Sequence, residues 1–364
     1  MIYTRFKSVV TDYLIVGQGL AGTLLGYTLL KAGLKVHIAD AMRLPSSSRV
    51  AAGIFNPVTG KSPVKTWQAD LLFPFLHTFY PQLEAELGVR FFYPKRLYRP
   101  FLSIEEQNNG LALSASAKMD GYLKEVSTIE EENSLIRTSW GGLETKHSGY
   151  VDVDTLLTRF RDYLTDRGAL IDRHFDYAEL KVEPEAVEWG AIRARKVIFC
   201  EGAHAIRNPY FNWLPFRQVK GEILSLEMDG NLPDCIIKQG VYLVPTEEGI
   251  CRLGATYERN EINWETSPKA RAELTHTLDR WIRVPYRVME QRAGVRPATP
   301  DRRPFIGLHP DWPSLGVFNG LGSKGVSLAP YYSQHFYEYL ECGKELSREV
   351  NIDRYYSLIS SKNL

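Results

Sequence analysis

The sequence predicts an α/β protein: a parallel sheet assembled from discontinuous parts of the chain, joined to a second α+β domain on a mixed or antiparallel sheet. Three observations carry this. Strand, glycine turn, helix and second strand follow one another over residues 13–40. A second glycine loop stands near the far end, at Gly320 to Gly325. Between them, Gly221 to Thr256 alternates with period two in short runs, the pattern of an antiparallel sheet.

Tyr13-Leu14-Ile15-Val16 is a continuous apolar run, as a strand buried on both faces requires. Ala21, Leu24, Leu25, Thr28, Leu29 and Ala32 then recur at helical spacing, and Gly33 stops the helix. Val36 to Ala39 is the next strand, with Asp40 at its end. The turn between them, Gly17-Gln18-Gly19-Leu20-Ala21-Gly22, fits G-x-G-x-x-G. That string is weak alone; strand before, helix after and an acidic residue beyond make it a Rossmann-like dinucleotide unit. Gly17 permits the tight turn, Gly19 lets backbone approach a pyrophosphate, and Gly22 lets helix pack on strand. The N–H groups at the helix start, from Leu20 and Ala21, face the phosphates. Asp40, followed by Ala41, can accept from the adenosine ribose, and its charge argues against a 2′-phosphate. A tight turn with no ligand is the bland alternative. A glycine loop at each end of the chain fits one extended cofactor clasped by both.

Further along, residues 44–63 read as loop and Trp67 to Tyr80 as helical. Arg90 to Tyr93 is strand-like, with a polar turn at Asn108-Asn109-Gly110. Asp154 caps a helix lined by Leu156, Leu157, Phe160 and Leu164. Lys196 to Cys200 is a buried strand; Glu222 to Glu227, Val241 to Pro245 and Cys251 to Ala255 are strands of the second sheet. Residues 269–291 read as helical, Phe305 to Gly307 and Val317 to Asn319 as strands, and Leu328 to Leu340 as the last helix. The expected boundaries are 1–87, 150–212 and 295–364 for a cofactor domain, and 88–149 with 213–294 for a substrate domain.

Bulk properties narrow the function. A formal net charge of +1 gives no support for a nucleic-acid partner or a membrane surface. Four cysteines without a Cys-x-x-Cys pair fit a reducing compartment. The eight histidines show no metal-ligand spacing, so no metal is expected. No apolar run reaches the roughly 18 residues of a membrane helix. Arg5 and Lys7 ahead of Tyr13 to Val16 imitate a signal peptide, but the apolar stretch is short and turns into the glycine loop. A cytoplasmic location is the expectation.

Seven segments, in order, resemble the D-amino-acid oxidase family of flavoproteins, which includes glycine oxidase and sarcosine oxidase. They are the first glycine loop with Asp40; Ser46 to Gly53; Val197 to Ala203; Gly221-Glu222-Ile223-Leu224; Tyr242 to Pro245 with Gly254-Ala255-Thr256; Gly294 to Asp301 with Pro304 to Gly307; and Gly320 to Gly325. They span residues 13–340, and the Arg-Pro-x-Thr-x-Asp segment and last loop are the most specific. Gly-Ala-Thr and Gly-Leu-Gly-Ser-Lys-Gly are similar to the oxidase half of the bifunctional enzyme that modifies the tRNA wobble uridine.

The resemblance implies noncovalent FAD, and hydride transfer from a carbon next to nitrogen, giving an imine that hydrolyses. It implies FAD contacts at Gly17, Gly19, Leu20, Ala21, Gly22, Asp40, Ala41, Ser47, Ser48, Ala52, Gly53, Gly202, Ala203, Arg296, Gly322, Ser323, Lys324, Gly325 and Val326. Arg296 would pair with a substrate carboxylate, a task its planar fork suits; an arginine holding the loop is the alternative. Tyr242 would touch the same carboxylate, or be an ordinary strand tyrosine. Lys324 would add positive charge beside the flavin, or be a surface lysine. Ser323 stands where glycine oxidases place an arginine. Gly294 stands where monomeric sarcosine oxidases attach FAD through cysteine, and glycine forms no thioether. The substrate is expected to be a small amine or amino acid. A tRNA-modifying flavoenzyme acting on an aminomethyl-uridine and a flavin-binding protein without turnover are the rival readings.

Overall fold

The computed structural model describes residues 9–42, 44–60, 63–126, 135–136, 140–230 and 234–359; Arg5 and Lys7 lie outside these. The chain divides into two compact units: Met1–Arg49, Asp154–Val219 and Val295–Leu364, and Val50–Val153 with Lys220–Gly294.

The first unit is built on an eight-stranded sheet. Its central strand Val9–Val16 runs parallel to Val36–Ala39 on one side and Ile192–Phe199 on the other. Leu315–Asn319 continues the sheet parallel to Ile192–Phe199. The apolar run from Tyr13 to Val16 is buried throughout, as a strand covered on both faces of its sheet requires. Helix Leu20–Lys31 follows, with Leu20 to Leu29 all buried. A helix apolar all round is a core helix. Burying each large aliphatic side chain contributes roughly 1.5–3 kcal/mol.

The second unit carries a mixed eight-stranded sheet. Its strands, in spatial order, are Tyr286–Ala298, Arg217–Met228, Cys251–Gly254, Val241–Pro245, Ile236–Gln239, Leu97–Pro100, Gly142–Thr145 and Leu123–Val126. Ile236–Gln239 and Leu97–Pro100 run parallel. Helix Pro268–Asp279 buries Leu274 and Leu278 in one cluster with Leu243, Leu253 and Trp281.

Several expectations are corrected. Residues 50–87 and 150–153 join the second unit, and 213–219 the first. Strand Ile54–Phe55 pairs with Gly149–Val151, which pairs with Phe92–Pro94. Tyr80 of helix Ala69–Leu87 stacks on Phe92, with ring centroids 5.4 Å apart. Trp213 and Leu214 instead fill the first core beside Phe199 and Phe305. The turn expected at Asn108-Asn109-Gly110 lies inside helix Ile104–Ser114. Ser103 accepts from Glu106 N at 3.2 Å and Glu106 accepts from Leu102 N at 2.9 Å. Those reciprocal bonds at the helix start outweigh the turn signal. Within 269–291 the helix ends at Asp279 and a strand begins at Tyr286. Tyr286 and Val288 turn to the core with period two, which a helix cannot do. Helix Val153–Asp166 starts one residue early, so Asp154 lies in its first turn and bonds Arg49 Nη1 at 2.6 Å instead of capping.

Candidate cofactor cradle and substrate residues

The first glycine loop is shaped by close backbone approach. At Gly17 (φ +99°) an added Cβ would stand 2.7 Å from Cys200 O, and at Gly22 it would stand 1.9 Å from Gly17 O. Neither neighbour can yield, because both are backbone. Gly19 differs: its Cβ would meet only Ser48 Oγ, at 3.3 Å. Strand and helix therefore need Gly17 and Gly22, whereas the bareness of Gly19 serves the space in front of it. That is the fit a pyrophosphate requires. Ser48 accepts from Leu20 N at 3.1 Å, so the serine-rich segment does reach the helix start. Ser47 opens the short helix Ser47–Val50.

Asp40 accepts from Gln18 N at 2.6 Å and from Met42 N at 2.7 Å, with Arg161 Nη1 4.0 Å away. A carboxylate offers about four acceptor positions, so capacity for a ribose hydroxyl remains. Ala41 follows at the strand end, half-buried. Gln18 is itself buried and held by Leu157 O at 2.8 Å. Arg161 also bonds Asp40 O at 3.1 Å and Asp172 at 3.0 Å. Neither Gln18 nor Arg161 was singled out from sequence, since no motif marks a helix residue that reaches back to a strand end.

The second glycine loop packs on the first. At Gly325 a Cβ would lie 3.1 Å from Leu20 Cδ2. Asn319 Nδ2 donates to Gly202 O at 3.0 Å, and Gln218 Nε2 to Ala203 O at 2.5 Å. The turn after Ile192–Phe199 is thus fixed by two amides that sequence reading passed over. Within the second loop, Gly322 N donates to Pro297 O and Lys324 N to Leu321 O, both at 3.1 Å. The first ties the loop to the strand that carries Arg296, and the second closes the turn itself. Ser323 is exposed and Val326 is buried in helix Gly325–Cys342. Lys324 precedes that helix, half-buried; burial first, then Arg302 and Arg303, hold its ammonium below the usual lysine range.

Arg296 is half-buried near the end of Tyr286–Ala298. The Pro297–Gly322 bond sets this segment against the second loop. Thr299 and Asp301, the rest of that motif, are structural. Asp301 accepts from Thr299 Oγ1 at 3.1 Å, Arg303 N at 2.9 Å and Arg354 Nε at 3.0 Å. Gly294 is buried in the same strand.

Glu201 is a further group the sequence did not mark. Tyr177 and Asn208 both donate to it, Asn208 Nδ2 at 2.8 Å. Burial pushes its carboxyl up to about 6 despite those bonds.

Tyr242, Ala52 and Gly53 belong to the second unit. Tyr242 and Ala52 pack on one apolar cluster with Leu97, Tyr150 and Val244. Burial raises the Tyr242 hydroxyl, opposed by a hydrogen bond with Asn56 and by the Arg99 charge. Gly53 (φ +71°) is required by the fold: its Cβ would stand 1.8 Å from Val151 O. Among the described residues, no cluster of His, Cys, Asp and Glu could hold a metal ion, and no helix is long and apolar enough to cross a membrane.

A parallel sheet with a glycine turn at its first strand, closed by a second glycine loop, defines a dinucleotide-binding oxidoreductase scaffold. Residues 12–338 match the family "DAO: FAD dependent oxidoreductase", and the chain belongs to that family. It is 30% identical to the tRNA 5-methylaminomethyl-2-thiouridine biosynthesis bifunctional protein of Caulobacter vibrioides, over 96% of this chain and 58% of that one. It is 25% identical to glycine oxidase of Pseudomonas aeruginosa, over 87% of this chain and 91% of that one. It therefore spans little more than half of the bifunctional relative but most of the oxidase. Glycine oxidase from Bacillus cereus shares the fold with a TM-score of 0.78 at 21% identity, over 92% of this chain and 96% of that one.

Proposed function

We infer that the chain oxidises the carbon–nitrogen bond of a small amine or amino acid. In this reading the first unit holds FAD noncovalently and carries Arg296, the substrate contact. The observation that carries it is the Pro297–Gly322 bond, which sets the Arg296 strand end against the second glycine loop. An arginine beside the cofactor loop suits a substrate carboxylate through its bidentate fork. The match along 91% of a glycine oxidase supports the same substrate class. Bound FAD would supply a two-electron acceptor. The substrate loses two electrons and two protons, its C–N single bond becomes an imine, and water hydrolyses that to a carbonyl and an amine or ammonia. Arg296 would fix the carboxylate and hence the carbon's orientation. No general base is needed where a neutral amine is held in reactive geometry, and positioning carries most of the rate. Gly294 supports noncovalent attachment, since it offers no thiol.

A second reading, action on an aminomethyl-uridine of tRNA, draws on the 30% identity with the bifunctional protein. The net charge of +1 favours the small-molecule reading. The test is anaerobic titration of purified protein with amines, amino acids and wobble-modified tRNA, following loss of flavin absorbance. Bleaching by a small amine or amino acid is expected. Bleaching by the tRNA alone would overturn it.

A further inference from the structure

Asp40 follows strand Val36–Ala39, and Gln18 of the first glycine loop donates its backbone N–H to Asp40 Oδ2. A carboxylate there can accept from a ribose. Its charge also repels the phosphates that the same loop is shaped to hold. Two needs follow: a fixed direction for the carboxylate and an offset for its charge. Arg161 meets both from a helix more than a hundred residues along the chain.

Arg161 lies on helix Val153–Asp166 one turn after Leu157, so the two share a face. Leu157 O accepts from Gln18 Nε2 at 2.8 Å, and Arg161 Nη1 donates to Gln18 Oε1 at 3.4 Å. The helix thus grips both ends of one buried amide. Arg161 Nη2 donates to Asp40 O at 3.1 Å and stands 3.0 Å from Asp172 Oδ1. Nη1 is also 4.0 Å from Asp40 Oδ1, an ion-pair distance and not a hydrogen bond. Among the described residues, Arg161 is the one cation at ion-pair distance from Asp40. An exposed pair between flexible side chains contributes little. This guanidinium is only 15% exposed and is held by a carbonyl and an amide as well.

We propose that Arg161 is a positioning residue for cofactor binding. It locks Gln18 and Asp40 together so that the Asp40 carboxylate meets the hydroxyls of the FAD adenosine ribose, and it offsets the Asp40 charge beside the pyrophosphate. Its guanidinium is committed to protein groups, so it acts through Asp40. The proposal rests on Asp40 as the ribose acceptor and is independent of the substrate oxidised.

The full chain is produced without flavin in riboflavin-starved cells. It is titrated with FAD and with an FAD analogue whose adenosine ribose lacks both hydroxyls, followed by flavin fluorescence. The readout is the ratio of the two dissociation constants, with the melting temperature as the check on folding. The parent should prefer FAD by about tenfold to a hundredfold, as hydrogen bonds to a charged acceptor give. Arg161→Met should bind FAD more weakly and shrink that preference to about threefold or less. Arg161→Lys, which restores the charge but not the fork, should fall between. An arginine that merely supports the fold would weaken FAD and the analogue alike, so a parental ratio in Arg161→Met overturns the proposal. Arg161→Gln gives the same comparison where Arg161→Met does not fold. Asp40→Ala should lose the preference too. If it keeps it, or if the parent shows none, the ribose is not read by Asp40 and the proposal falls with that role. Neither outcome bears on amine oxidation, which the bleaching titration tests separately.

Discussion

The two units are organised in opposite ways, one around bare backbone and the other around paired side chains. In the first, the proposed ligand meets backbone: Gly17, Gly19, Gly22 and the loop after Asn319 work through absent side chains and N–H groups. In the second, side chains come together only where strands pair, as Lys238 does with Tyr242. Backbone recognition is written locally and tolerates few substitutions. Side-chain neighbours in a sheet are set by its register and leave no local mark.

The contrast breaks most sharply at Gly22. Gly22→Val drives a side chain into Gly17 O and should leave no folded first unit, read as loss of soluble protein. Gly19→Val faces only Ser48 Oγ, so it should fold with a near-parental circular dichroism spectrum yet retain no FAD. Parental FAD content in Gly19→Val would mean that the loop holds no pyrophosphate.

The second unit is most fragile where charge is buried. Lys220 and Glu222 pair at 3.4 Å with side chains 4% and 3% exposed. Glu222 also accepts from Ser267 N and Oγ at 2.9 Å and Gln291 Nε2 at 2.7 Å. Glu222→Ala removes the counter-charge from the buried ammonium, which keeps its bond to Asn263 Oδ1 at 2.7 Å, and should cost about 3–5 kcal/mol, measured by denaturant unfolding. Burial raises the Glu222 carboxyl, but these bonds outweigh it and the net shift is downward. Its stabilisation is thus present above the ordinary glutamate range and lost as pH falls through the depressed value. Glu201 in the first unit has the opposite sign. Raised from 4.5 to about 6, it stabilises fully below 4.5 and loses that contribution as pH rises through 6. Glu201→Gln should flatten the Tm-against-pH curve between 4.5 and 6. An unchanged curve would place the titration elsewhere.

Arg296→Ala should weaken benzoate, followed through the flavin spectrum, by about thirtyfold to a thousandfold, or about 2–4 kcal/mol. FAD content should stay parental, and Arg296→Lys should recover part of the loss. Equal benzoate affinity would shift Arg296 to a structural role.

The same contrast explains what the sequence made legible. Gly17 to Gly22 with Asp40 could be read because the whole device lies within one continuous stretch. Asn319 and Gln218 could not, since each anchors a carbonyl over a hundred residues or a strand away, at Gly202 and Ala203. The helix through Asn108 was hidden because turn-forming residues outweigh a capping pair until Leu102 and Ser103 are seen to bond Glu106. Residues 50–87 were placed with the wrong unit because strand pairing with Gly149–Val151 decides their place, and pairing leaves no local mark.

The central claim is two-electron oxidation at carbon–nitrogen. Its most direct measurement is the carbonyl product of a single anaerobic turnover, quantified against flavin reduced, for an amino acid and its hydroxy-acid counterpart. The account predicts one carbonyl and one amine or ammonia per flavin with the amino acid, and no reduction with the hydroxy acid. Reduction by the hydroxy acid alone, or flavin reduction without carbonyl, would contradict it.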